Sequence, residues 1–200
     1  MFKQAIKKKI GKDVSVEENI FAFQLNMTEN DLRKNKKALD LIRDYVRNDN
    51  KQAIKKLQRL RLLDWKDKGK NITVVDGRTV LAELLTGSLS GTADGSDDGD
   101  VNYIALGTGS NSITKTDSKL ESEQDREQYV SRSNDKNIAF IDTVFPGGSG
   151  KLSGTFTRLG TFIDATATTD SGEMLTHYDT GGWTKEELKS LFVTVKYTFK

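Results

Sequence analysis

The chain has 200 residues, one Pro and no Cys, and its 31 Lys+Arg against 29 Asp+Glu leave a formal charge of +2. The lack of Cys excludes a disulfide framework, a thiolate metal site and a thiol nucleophile. No apolar run approaches the ~20 residues of a bilayer span, and Lys interrupts Met1 to Lys12 too often for a signal peptide, so a folded product made in the cytoplasm is expected, with no membrane partner.

The small net charge hides an asymmetry. Met1 to Val80 holds 20 Lys+Arg and 11 Asp+Glu, while Leu81 to Lys200 holds 11 and 18, so the two parts carry about +9 and −7. Such a chain can meet copies of itself head to tail, or present its basic part to nucleic acid or to an acidic partner.

In chain order, Phe2, Ile6 and Ile10 recur four apart before Gly11, which predicts a short basic amphipathic arm suited to docking on a neighbour. Thr28-Glu-Asn-Asp31 reads as a capping box that opens a helix with Leu32, Leu39, Ile42, Tyr45 and Val46 on one face. Asn48-Asp-Asn50 reads as a turn. A second helix should bury Ile54, Leu57, Leu60 and Leu63 while Lys51, Lys55, Lys56, Arg59 and Arg61 crowd its other side. Lys55, Lys56 and Arg59, with the arm's apolar residues, are the expected interaction residues. A protein contact is favoured over nucleic acid, because Tyr45 and Trp65 occupy core-like positions and are not free to stack on bases. The polar run 66–71 closes this hairpin, Ile72 to Val75 reads as a short strand, and Val80 to Leu85 as a last short helix.

Residues 86–100 form an acidic, Gly-rich linker. Asp94-x-Ser96-x-Asp98-Gly99 matches half of a calcium loop, but Ala105 stands where the closing Glu is needed, so no metal is expected there. Val101 to Leu106 reads as a strand ending on Gly107-Thr-Gly109. That turn lacks the Lys and the third Gly of phosphate-binding loops, and its glycines are assigned to turn geometry. Glu121, Glu123, Asp125 and Glu127 around Arg126 read as a solvated helical turn or a structural ion pair. Ile138 to Phe145, Leu152 to Ile163, Glu173 to Tyr178 and Leu191 to Phe199 read as strands, with Pro146 to Gly150, Asp170 to Gly172 and Gly181-Gly182 as hairpin links. Thr184 to Ser190 reads as a capped helical turn. The only His, His177, lies in a strand with nothing in the sequence to orient it, so a structural role is expected in place of a general base.

The fold expected is therefore α+β: a basic helical attachment region over 1–85, the linker 86–100, and an antiparallel β-sandwich or barrel-like domain over 101–200. No catalytic residue, cofactor or metal is assigned.

Taken together, Tyr103-Ile-Ala-Leu-Gly-Thr-Gly109, Leu120-x-x-Glu123-x-x-Arg126, Gly160-Thr-Phe162, Ser171-Gly-Glu-Met-Leu175 and the closing run Leu191 to Phe199 resemble, in order and spacing, a family of tailed-bacteriophage virion proteins. The likeness covers about half the chain, from Val101 onward. It departs at Arg158, where the family carries an acidic residue before its Gly-x-Phe element. The resemblance implies a non-enzymatic structural component located in the virion, in the tail, neck or baseplate, whose partners are other virion proteins and copies of itself. A capsid-surface or fibre-anchoring position is the alternative within the virion. Outside it, the alternatives are a nucleic-acid-binding module and a calcium-dependent surface binder using Asp94 to Asp100 and Trp183.

Overall fold

The structure is a computed structural model that describes residues 16–70, 72–73, 101–135 and 137–199. The arm residues Phe2, Ile6 and Ile10, the helix expected over Val80 to Leu85, and the linker with Asp94 to Asp100 lie outside the described residues.

The elements run β1 (Val16–Leu25), α1 (Glu29–Lys34), α2 (Lys36–Asn48), α3 (Lys51–Arg59), β2 (Leu63–Lys70), β3 (Ile72–Thr73), β4 (Val101–Gly107), β5 (Glu123–Asp135), β6 (Ile138–Phe145), β7 (Gly154–Ile163), β8 (Glu173–Lys185) and β9 (Ser190–Phe199). All strand pairs are antiparallel, in the order β2-β1-β9-β6-β5-β4-β7-β8-β3. The two ends of this order are consecutive in the chain, so the sheet curls back on itself into a nearly closed barrel. A second corner lies in β5. Its first part, up to Gln128, pairs with β4, and its second part, from Tyr129, pairs with β6.

Ile20, Ala22, Ile104, Leu106, Ile141, Leu159, Ile163, Val193 and Val195 fill the barrel. The helices cover the outer face of β1, β9 and β6, where Leu32, Ile42, Tyr45, Val46, Ile54 and Leu57 meet Phe21, Phe23, Leu25, Phe140 and Phe192. Side-chain caps set the helix starts: Thr28 accepts from the Asp31 amide, Asn35 from Ala38 and Asn50 from Gln52, with Asp49 left-handed at φ 50° between α2 and α3.

Antiparallel sheet dominates, as expected, but a helical region followed by a separate barrel describes the chain only in part. β1 precedes the helices and pairs with β9 along its whole length, so the helices are an insertion between the neighbouring strands β1 and β2. Several local readings change with this. Leu60 is exposed and Leu63 begins a strand, because α3 ends at Arg59 and the polar run after it is β2, an edge strand wet on one face. Gly181 and Gly182, both at positive φ, form a bulge inside β8, which runs on to Lys185. Pro146 to Gly150 closes no hairpin, since β6 and β7 are not neighbours. Residues 186–189 are a plain turn into β9. Of the strand expected over Ile72 to Val75, β3 holds the first two residues and the rest lies outside the described ones.

Candidate functional site

Beyond the barrel interior, the outer face of β4, β5, β7 and β8 is roofed by the loop 108–122. Leu120 lies over Gly160, where a Cβ would come within 3.2 Å of the leucine side chain. Leu120, Ala105, Phe162, Ala165 and Met174 make a small apolar cluster there. The pairing of β4 with β5 slips by one residue between Asp125 and Glu123. This bulge brings Glu123 to the same face as Arg126, three positions on, and the two form a buried ion pair at 2.6 Å in a strand. The structural ion pair expected of Arg126 is therefore present, and the alternative of a solvated helical turn is not. Arg126 also donates to Thr166 O (3.1 Å), Ser171 O (3.0 Å) and Ser171 Oγ (2.8 Å), and its guanidinium stacks 4.7 Å from the Phe162 ring. One cation thus fastens the β7–β8 hairpin to β5.

The Gly-Thr-Gly-Ser turn is held from inside. Glu121 Oε2 accepts from the amides of Ser110 (2.8 Å) and Asn111 (2.9 Å), which is how a phosphate would be cradled, but the anion here belongs to the protein. Gly109 is needed because a Cβ would run into the Glu121 side chain. Arg158 pairs with Asp179 at 3.2 Å and donates to the Asn111 carbonyl, so at the position where the resemblance leads one to expect an acid this Arg ties the loop to β7 and β8.

His177 also fastens this loop. Its Nδ1 lies 2.8 Å from Asp117 Oδ2, and Asp117 accepts from the Thr114 amide at 2.9 Å. The residue is 4% exposed, and Nε2 is buried with no hydrogen-bond partner among the described residues. Burial first, and Arg158 after it, hold the imidazole below its ordinary pKa against the pull of Asp117 and Asp179. Burial works against the Asp117 carboxylate, yet hydrogen bonds from Thr114 and His177 keep it below the usual range. At neutral pH the pair is a neutral imidazole donating to a carboxylate. No solvent reaches Nε2, so the pair acts as a strut.

A different arrangement sits at the β5 corner. Asp125 and Glu127 lie opposite Leu106 and Ile104 and share their inward face. Beside the point where β5 leaves β4 for β6 lies a cleft of about 310 Å³ lined by Glu29, Arg33, Glu127, Tyr129 and Lys151 among others. Burial, then Asp125 and Glu29, push Glu127 up to about 7. Nearby, Lys185 is 1% exposed, donates to Leu152 O at 2.7 Å and is held below its ordinary pKa by burial. Asp125 and Glu127, expected in a solvated helical turn or a structural ion pair around Arg126, lie in the strand β5.

Of the expected interaction residues, Lys55, Lys56 and Arg59 are exposed on α3, whose other side buries Ala53, Ile54 and Leu57. None of the three has an ion-pair partner among the described residues. Phe2, Ile6 and Ile10 lie outside them. Comparison with protein-family models, curated proteins and solved structures yields no match.

Proposed function

We propose that the chain is a non-enzymatic structural protein of a tailed-bacteriophage virion, in the tail, neck or baseplate, that assembles through contacts with other virion proteins and with copies of itself. One observation carries this reading. Four of the five short motifs behind the resemblance, scattered over residues 103–175, meet at a single patch of the outer barrel: Leu120 over Gly160, Glu123 on Arg126, and Arg126 on Phe162 and Ser171, while the closing run Leu191 to Phe199 lies apart from it in β9. These contacts tie the loop 108–122 and the β7–β8 hairpin to the sheet, and rigidity is what a part gripped by neighbours needs. In this reading the barrel is the body and the helical layer is the attachment face, with Lys55, Lys56 and Arg59 held outward on a helix anchored from beneath.

The test is proteomics and immunogold imaging of purified particles of the phage that encodes the chain, with the wild type and a Lys55→Glu/Lys56→Glu/Arg59→Glu variant. The wild type should be a stoichiometric particle component. The variant should melt like wild type and be lost from particles. Absence of the wild-type chain from particles overturns the virion role, and normal incorporation of the variant overturns the attachment face.

A further inference from the structure

On β2, Lys66, Lys68 and Lys70 alternate with Trp65, Asp67 and Gly69, so three exposed ammonium groups stand on the outer face at steps of ~6.7 Å. Lys66 Nζ lies 5.0 Å from the Tyr45 ring centroid and donates to its hydroxyl at 3.2 Å, and Lys68 Nζ lies 5.1 Å from the Phe21 ring centroid. The register carries the charge across the sheet. Lys70 faces Asn19, Asn19 faces Lys196, and Lys196 faces Phe140. Lys196 sits 5.7 Å from the Phe140 centroid, and Arg47 lies 5.1 Å from it while donating to Ser133 Oγ at 2.7 Å. With strands ~4.8 Å apart, Lys196 stands ~10 Å from Lys70, so the cations extend along and across the strands. The carboxylate facing them from β1 is Glu17, 3.9 Å from Lys70 in an exposed pair.

We propose that this strip of β2, β9 and α2 binds the phosphate backbone of double-stranded nucleic acid without reading its bases. Four of its five cations rest on aromatic rings and have already lost much of their rotamer freedom, so less ordering remains to be done on binding. An extended acidic peptide would meet one row of cations, whereas a duplex presents phosphates along and across the same surface. Phe21, Tyr45 and Phe140 are each at most 8% exposed beneath these cations, which leaves no platform for the stacked bases of a single strand. The inference is independent of the virion reading, since Lys55, Lys56 and Arg59 take no part in it.

The full chain is titrated into a short labelled duplex of mixed sequence, followed by fluorescence anisotropy between about 50 and 200 mM salt. Five phosphate contacts predict a slope of log K against log salt of about −4.5, the same for unrelated sequences. The Lys68→Gln/Lys70→Gln/Lys196→Gln variant should reduce the slope by about 3, and Lys70→Gln alone, at an exposed lysine off the rings, by about 1. Lys55→Gln/Lys56→Gln/Arg59→Gln should leave it unchanged. The proposal is overturned by absence of salt-dependent binding, by an unchanged slope in Lys70→Gln, or by polyglutamate displacing the duplex at equal charge, which would assign the strip to an acidic protein.

Discussion

Tyr178 lies against the bare backbone of Gly69: a Cβ at that glycine would overlap the tyrosine ring and hydroxyl. The contact joins β8 to β2, which share no backbone ladder. Around it Trp183 Nε1 donates to Asp67 Oδ2 at 2.7 Å, and Trp65 Nε1 to Thr184 O at 2.9 Å. Side chains therefore close the barrel where main-chain pairing stops, and burial beside Asp67 pushes the Tyr178 hydroxyl up to about 12.

Gly69→Ala should force this seam apart. Overpacking of this kind costs about 1–3 kcal/mol, read as a lower urea midpoint, and the fluorescence of Trp65 and Trp183 should shift with it. Wild-type stability in this variant would mean that the seam is not tightly packed.

Removing one partner of the buried Glu123–Arg126 pair should be more damaging than removing both. Arg126→Met leaves a buried carboxylate and unfastens Ser171, with an expected loss of about 3–5 kcal/mol in denaturant unfolding. Glu123→Gln/Arg126→Met should recover part of it. Equal losses in the single and double variants would show that the charge itself is not what matters.

His177 and Glu127 pull stability in opposite directions as pH changes. The folded pKa of His177 lies below its ordinary value, so as pH falls through about 6.5 the unfolded chain takes the proton first and stability drops. His177→Gln should flatten that acid-side fall in melting temperature. An unaltered profile would remove His177 as its source.

Glu127 behaves in reverse. Its folded pKa of about 7 lies above the usual 4.5, so as pH rises across this window the unfolded chain ionises first and stability is lost. Glu127→Gln should raise the melting temperature at pH above about 7 and leave it nearly unchanged near the acid end of the window. In the wild type the two effects partly cancel, so only the single variants expose them.

Sequence patterning located the strands from Ile138 onward, the last by the alternation of Leu191, Val193, Val195, Tyr197 and Phe199 and the others as apolar runs bounded by Gly- and Asp-containing turns. It found the helix start at Thr28 and the turn at Asn48 to Asn50, because capping is a local hydrogen bond. β1 escaped it. Ile20 to Leu25 is buried on both faces, by the barrel on one side and the helices on the other, as Leu191 to Val195 of β9 is, but it lacks the β-branched alternation that marked β9. β2 escaped for the opposite reason, since its outward lysines make an edge strand look like a polar loop. The meeting of Glu123 with Arg126 depended on a bulge, and the meeting of His177 with Asp117 joined residues 60 positions apart.

Amino-acid order alone settled what is short-ranged in this protein: where helices are capped, which runs are pleated, that the chemistry of Cys is absent, and that charge is unevenly spread. The curled sheet decided the rest. It made neighbours of β1 and β9 from opposite ends of the described chain, filled the Gly-Thr-Gly-Ser turn with Glu121, and laid Lys66, Lys68, Lys70, Lys196 and Arg47 side by side on one face. Those arrangements depend on strand register and on closure around a shared core, and both are set by contacts between residues far apart in the chain.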